Sequence, residues 1–122
     1  MSSIVERYLA VWNEPDPVAR KQAVTELWTE DGVEYVEGKQ FRGHDGLVER
    51  VAEAHERFVA SDGYRITHDG STTPSEDVVV LTVRLTRPDG GTDWAARVFL
   101  LLDADGRIRE DYHLTVQPLP PS

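Results

Sequence analysis

Cysteine is absent from the 122 residues. No disulfide framework, thiol nucleophile or thiolate metal site is therefore available, and the expectation is a protein at home in a reducing cytoplasm. Long apolar runs are missing too. Val78-Val-Val-Leu81 and Val98-Phe-Leu-Leu-Leu102 fall far short of the roughly 20 residues that a bilayer-crossing helix needs. The stretch Met1-Ser-Ser-Ile-Val-Glu-Arg7 lacks a basic segment followed by an apolar one, so neither a leader nor a membrane association is expected. Positive charge is scarce: 13 Lys and Arg stand against 22 Asp and Glu, a formal charge of -9. A phosphate backbone must be met by a basic surface, so nucleic acid is an improbable partner. No glycine-rich phosphate loop and no hydrolase elbow occurs, which leaves no sign of a nucleotide cofactor. The four histidines, His44, His55, His68 and His113, show none of the paired spacings of zinc sites, so neither a metal nor any other cofactor is expected.

What is present reads as one domain over residues 1–117 with a flexible tail at 118–122. The chain opens with helical periodicity. Ser2 or Ser3 can cap a helix carrying Ile4, Tyr8, Val11 and Trp12 on one face, and Pro15 and Pro17 stop it near Asn13. Asp16 caps a second helix that begins at Pro17, runs to about Trp28 and buries Val18, Ala23, Val24 and Leu27, with Asp31-Gly32 ending it. Short extended runs at 33–36 and 39–42 flank Glu37-Gly38. A third helix over residues 47–60 should turn Leu47, Val51, Ala54 and Phe58 inward, with His55 beside that stripe as either a structural histidine or a pocket residue. From 64 onward the pattern becomes that of strands, at 64–68, 78–87, 94–102 and 108–116, with a polar loop at 71–77. The run Val78 to Leu81 suits a strand covered on both faces. Helices first and strands last give an α+β class: a curved antiparallel sheet, cone or half-barrel, with the helices on its concave face.

The last strand holds the strongest functional candidates. It follows an Asp105-Gly106 turn and alternates with period two, which sets Ile108, Tyr112, Leu114 and Val116 on one face and Arg109, Asp111, His113 and Thr115 on the other. Alternation alone allows two placements for the polar row, solvent or the inside of a pocket. In a pocket, a carboxylate and an imidazole two residues apart can share acid and base work, the histidine exchanging protons near pH 7.

The order of elements, with Arg7-Tyr-Leu-Ala-Val-Trp-Asn13, Leu27-Trp-Thr-Glu-Asp-Gly-Val33 and Asp105-Gly-Arg-Ile108, resembles the nuclear transport factor 2-like superfamily. Within it the chain is most similar to the SnoaL-like branch, which contains polyketide cyclases. The resemblance implies a cystatin-like cone and turns Asp111, His113 and Thr115 inward; it also implies an aspartate acid/base near this point of the last strand. Compared with the superfamily's ketosteroid isomerases, Tyr8 matches the oxyanion-binding tyrosine. Val98 falls where their proton-donating aspartate stands, and Val36 or Tyr35 where their base stands, so steroid isomerisation is not implied.

The expected function is an acid/base enzyme of cyclase, isomerase, dehydratase or epoxide-hydrolase type acting on a small apolar organic ligand. Asp111, His113 and Tyr8 would be its catalytic residues. Trp12, Tyr35, His55, Leu81, Trp94, Val98 and Arg109 would bind substrate. The alternatives are a non-catalytic ligand-binding pocket and an assembly domain. A homodimer through the outer sheet face, using Arg97, Phe99, Tyr112, Leu114 and Val116, is expected in every case.

Overall fold

The computed structural model describes residues 3–119; the end of the expected tail, 120–122, lies outside them. Two capped helices start the chain. Ser3 accepts a hydrogen bond from the Glu6 backbone N–H at 3.1 Å and opens α1, Ile4–Asn13. Asp16 accepts one from Val18 N–H, also at 3.1 Å, and opens α2, Pro17–Leu27. These contacts satisfy N–H groups that the first helical turn leaves without a partner. Val18 does not join the core as expected: at helix position two it is 75% exposed, whereas Val24 and Leu27 are buried.

Strand β1, Trp28–Val36, begins immediately after α2. Asp31-Gly32 therefore lies inside a strand instead of ending a helix, at an irregularity between Trp28 and Val33. β2, Lys39–Arg42, pairs antiparallel with β1. Helix α3, Gly43–Ala54, follows and widens into a π-helical turn, His55–Ala60. Leu47, Val51 and Ala54 are buried on it, while the wider turn leaves Phe58 half-buried. Then come β3, Arg65–Ser75; β4, Val78–Thr86; β5, Thr92–Leu102; and β6, Ile108–Gln117. β3 extends through most of the stretch expected as a polar loop. β4 alternates strictly between half-buried and buried residues, so the valine run covers one face, not both.

The six strands lie in the order β2-β1-β6-β5-β4-β3. The sheet is open and curved rather than closed, an α+β cone with the helices on its concave side. It is mixed and not wholly antiparallel, because β1 and β6 run parallel, with Glu34 opposite Asp111 and Val36 opposite His113. β5 and β6 pair antiparallel and bring Val98 opposite His113 and Leu100 opposite Asp111. Register shifts at Ala95/Ala96 and Leu101/Leu102 interrupt that ladder, and such bulges bend a sheet and increase its twist. The core between helices and sheet includes Tyr8, Trp28, Leu47, Leu81, Val98, Leu100 and Ile108, all essentially inaccessible. Each such aliphatic side chain contributes ~1.5–3 kcal/mol by leaving water. No helix among the described residues is long and apolar enough to cross a membrane.

Gly32 has no room for a side chain within β1 and against β6. A Cβ there would sit 3.0 Å from Trp28 Cδ1, 3.1 Å from the Thr29 carbonyl oxygen and 3.2 Å from the Ile108 carbonyl oxygen. Two of the three obstacles are backbone and cannot rotate away. Gly32→Ala is therefore expected to destabilise the fold by ~1–3 kcal/mol, the usual scale of overpacking, and to loosen the β1–β6 contact. Urea denaturation of both proteins measures this; an unchanged midpoint would contradict the packing argument.

Candidate active site

Three elements converge on one buried point. Tyr8 comes from α1, where the three- and four-residue spacing of its inward face, with Val5, Val11 and Trp12, turns it into the core. Asp111 and His113 come from β6, and Glu34 from β1 beside them. The Tyr8 hydroxyl donates to Asp111 Oδ2 at 2.9 Å and lies 2.8 Å from His113 Nε2. The same Nε2 lies 3.0 Å from Glu34 Oε2 and 3.0 Å from Asp111 Oδ1. One N–H cannot point at three acceptors. It donates to the tyrosine oxygen, and the two carboxylates attract the ring mainly through charge, which leaves Glu34 Oε2 and Asp111 Oδ1 without a directed hydrogen bond. Glu34 Oε1 has its own partner: Arg50 Nε, from α3, donates to it at 2.7 Å. The guanidinium lies over the rings of Trp12 and Phe41, its carbon 5.5 Å and 5.2 Å from their centroids.

Charge explains how such a group can be buried. Two carboxylates face one guanidinium and one imidazolium, so the cluster balances only when His113 is protonated. Burial by itself works against the imidazolium, but the charges of the Asp111 and Glu34 carboxylates override it and raise the His113 pKa to about 10. Burial pushes Glu34 upward, yet His113 and Arg50 together hold it below the ordinary carboxylate value. Asp111 is raised, first by burial and further by the charge of Glu34, against the lowering pull of His113 and Tyr8. Burial, then the charges of Asp111 and Glu34, lift Tyr8 well above an ordinary phenol.

A cavity of about 220 Å³ opens beside the cluster, and Tyr8, Trp12, Arg50, Trp94 and His113 are among its lining residues. Asp111 and Glu34 are not; they stand behind the imidazole. His113 Nδ1 is buried and has no hydrogen-bond partner among the described residues. The expected wall differs in several places. Leu81 and Val98 are fully buried in the core beneath the cavity. Tyr35 turns to the other face of the sheet and stacks on Tyr112, ring centroids 4.7 Å apart. Arg109 is exposed and 3.7 Å from Glu110: the bulge opposite Leu101/Leu102 breaks the alternation, so Ile108 enters the core and Arg109 faces out. His55 is buried at the start of the π-helical turn, outside the cavity wall, and burial, then the charge of Arg20, lower its pKa.

Glu34 and Arg50 were not among the sequence candidates. Arg50 had left a signal, since it follows Leu47 by three residues and precedes Ala54 by four, within the inward stripe. Glu34 left none, because a nine-residue strand of mixed polarity does not reveal which acid is buried. Glu34, Asp111 and His113 are also the one trio of donor atoms among the described residues close enough to hold a metal ion, all within 4.8 Å of one another. Spacing in the sequence could not disclose it, because its members come from two strands that are distant in the chain.

An open α+β cone with ionisable groups gathered on its concave side defines the class of protein. Its family is equally direct: a model of the SnoaL-like domain matches residues 5–111, and the chain belongs to that family. Among solved structures, a protein from Agrobacterium tumefaciens, provisionally assigned as an isomerase of the SnoaL-like family, is 27% identical with a TM-score of 0.82, covering 92% of this chain and 93% of that one. A protein from Sinorhizobium meliloti, provisionally assigned as a polyketide cyclase, is 19% identical with a TM-score of 0.69, covering 93% and 94%. A protein from Methylobium petroleophilum with a cystatin-like fold is 20% identical with a TM-score of 0.65, covering 98% and 77%. The last two similarities speak to fold alone. No match is found among curated proteins.

The cluster makes a definite prediction about pH. A folded-state pKa near 10 against an ordinary 6.5 means that protonated His113 stabilises the fold fully below about pH 6.5, and that this contribution is lost as pH rises towards and through 10. Side-chain NMR should show His113 still protonated at pH 8, and Glu34→Gln should lower its pKa by removing one of its two carboxylates. Titration near 6.5 in both proteins would refute the charge balance.

Proposed function

We propose that the protein is an acid/base enzyme acting on a small, mainly apolar carbonyl compound, with His113 as the group that meets the reacting oxygen. The observation that carries this reading is the division of labour on the imidazole. Its Nε2 is held by Tyr8, Glu34 and Asp111, while Nδ1 has no partner and the residue lines the cavity. For a bound carbonyl oxygen to accept from Nδ1–H, a small shift of the cavity wall must first uncover that buried atom. An imidazolium with a pKa near 10 releases its proton reluctantly but stabilises the negative charge that develops as a carbonyl becomes an enolate, where a fixed donor is most effective; the α proton passes to a carboxylate that lines the cavity, Glu37 or Glu53, or to water. Asp111 and Glu34 act through the histidine as positioning residues, keeping it charged and oriented. Tyr8 bridges Asp111 and His113 and fixes the ring. Isomerisation α to a carbonyl proceeds through such an enolate, in keeping with the provisional assignment of the Agrobacterium tumefaciens relative.

A second reading has its own support. A histidine held firmly protonated is less suited to shuttling protons than one poised near neutrality, and a cavity that binds without turnover would tolerate this. Hydrogen–deuterium exchange separates the two. In deuterated buffer, a panel of cyclic and aryl ketones is followed by NMR for loss of the protons α to the carbonyl. The wild-type protein is expected to accelerate exchange for at least one compound, and His113→Asn to lose ~10²–10⁴-fold of that acceleration, the usual worth of a positioned acid or base. Saturable binding of a ketone with no exchange would favour the second reading.

We also propose that the outer sheet face pairs with a second copy of the chain. Tyr112, Leu114 and Val116 are 37%, 60% and 57% exposed along β6, and the stacked Tyr35 extends the same apolar surface. Such a face is self-complementary across a two-fold axis. Sedimentation should give a dimer for the wild type and a monomer for Leu114→Asp; a wild-type monomer at all concentrations would exclude the pairing.

A further inference from the structure

We propose that the molecule bound in this cavity carries a carboxylate, gripped by the two terminal nitrogens of Arg50. This rests on the reading of the cavity as the functional site and adds the chemical class of its ligand. A guanidinium has five N–H donors in a planar fork. In Arg50 the Nε–H is used, donated to Glu34 Oε1 at 2.7 Å. Among the described residues, Nη1 and Nη2 make no hydrogen bond or ion pair, so four donors remain. They are neither idle at the surface nor free to wander. The side chain is only 20% exposed, its guanidinium lies over Trp12 and Phe41, and the residue lines the cavity.

Anchoring through Nε and clamping over two rings pre-organise the outer edge of the fork, so a ligand need not immobilise it on binding. That edge matches the two oxygens of a carboxylate in a bidentate arrangement. Glu34 supplies the geometry: one of its oxygens takes Arg50 and the other faces His113. Arg50 and His113 therefore sit at the same end of the cavity, on opposite oxygens of a single carboxylate. A ligand acid group on Arg50 places its neighbouring atoms beside the imidazole.

The charge count argues against a dianion. Arg50 and His113 are already offset by Glu34 and Asp111. Lys39 and Arg57 also line the cavity, but so do Glu37 and Glu53, so no net positive charge draws an anion in, and a carboxylate is held by the directed donors of the fork. The rest of the wall, including Ile66, Val83, Leu85 and Trp94, suits an apolar body. The expected ligand is thus a small apolar carboxylic acid in its ionised form.

The test titrates the wild-type protein with benzoate, phenylacetate and cyclohexanecarboxylate, and separately with the corresponding neutral amides, following the indole signal of Trp12 by NMR. At least one acid should bind ~10-fold or more tightly than its amide, a difference of about 1.4 kcal/mol. Arg50→Lys keeps a cation beside Glu34 but removes the fork, and should bring acid and amide to within ~3-fold of each other; Arg57→Gln should keep the preference. Because Arg50→Lys could disturb folding, the guanidinium signals of Arg50 in wild-type protein provide a second measurement and should shift with benzoate but not with benzamide. Equal binding of acids and amides, no binding by any of the acids, or a preference that survives Arg50→Lys overturns the proposal. His113→Asn separates it from the enzymatic reading. Exchange unaffected by that substitution alongside an intact acid preference defeats only the catalytic role, whereas lost exchange without any acid preference defeats only the carboxylate.

Discussion

Four charged side chains are withdrawn from water together, and they can be so only as a set. Glu34 and Asp111 are fully buried, and neither could remain ionised there without a cation in contact. His113 serves both, and Arg50 serves Glu34. Removing either cation leaves a buried carboxylate uncompensated, and removing either carboxylate lowers the advantage of a charged imidazole. The sheet delivers Glu34, Asp111 and His113, α3 delivers Arg50, and α1 sets Tyr8 against Asp111 and His113. This mutual dependence also gives the site its rigidity. Tyr8 is locked between Asp111 and His113, with Trp12 and Trp28 packed at 6.0 Å and 5.8 Å from its ring.

The same interaction separates what the cluster does from what two neighbouring residues on one strand would do alone. A carboxylate and a histidine two positions apart suggest an imidazole poised near pH 7. A second carboxylate from β1 changes the answer, because two negative charges on one side of the ring outweigh the burial that opposes its protonation. In the proposed reading the histidine is a stable cation beside a mainly apolar cavity, suited to holding a negative oxygen more than to shuttling protons. Asp111 contacts that ring and does not itself line the cavity.

Much of the architecture was legible before any coordinates. Capping residues Ser3 and Asp16, the prolines at 15 and 17, the three- and four-residue spacing in α1 and α3 and the turn at Gly106 are local signals, and helices and hairpins form from local interactions. The order of helices and strands, and with it the resemblance to SnoaL-like proteins, followed from those signals. Tyr8, Trp12, Trp94 and His113 could be named because each stands in a readable pattern. The errors were local as well. Val18 lies in the first turn of its helix, where one face is not yet covered, and Asp31-Gly32 reads as a stop but serves as an irregularity inside a strand.

Other features had no local cause. Alternation along β6 could not show that a bulge opposite Leu101 and Leu102 sends Arg109 outward and Ile108 inward, because a bulge belongs to a pair of strands. Nor could Glu34 be recognised, since its burial depends on the parallel pairing of β1 with β6, which sets it opposite Asp111 across most of the chain. The sequence by itself determined the class of fold, its order of elements and the face of α1 that carries Tyr8, because backbone propensity and hydrophobic period act over a few residues. Only the tertiary structure decided the two carboxylates beside His113, the burial of Asp111 and the partnership of Glu34 with Arg50. Electrostatic interactions in a dry interior depend on distance in space and on burial, and neither is written in the spacing along the chain.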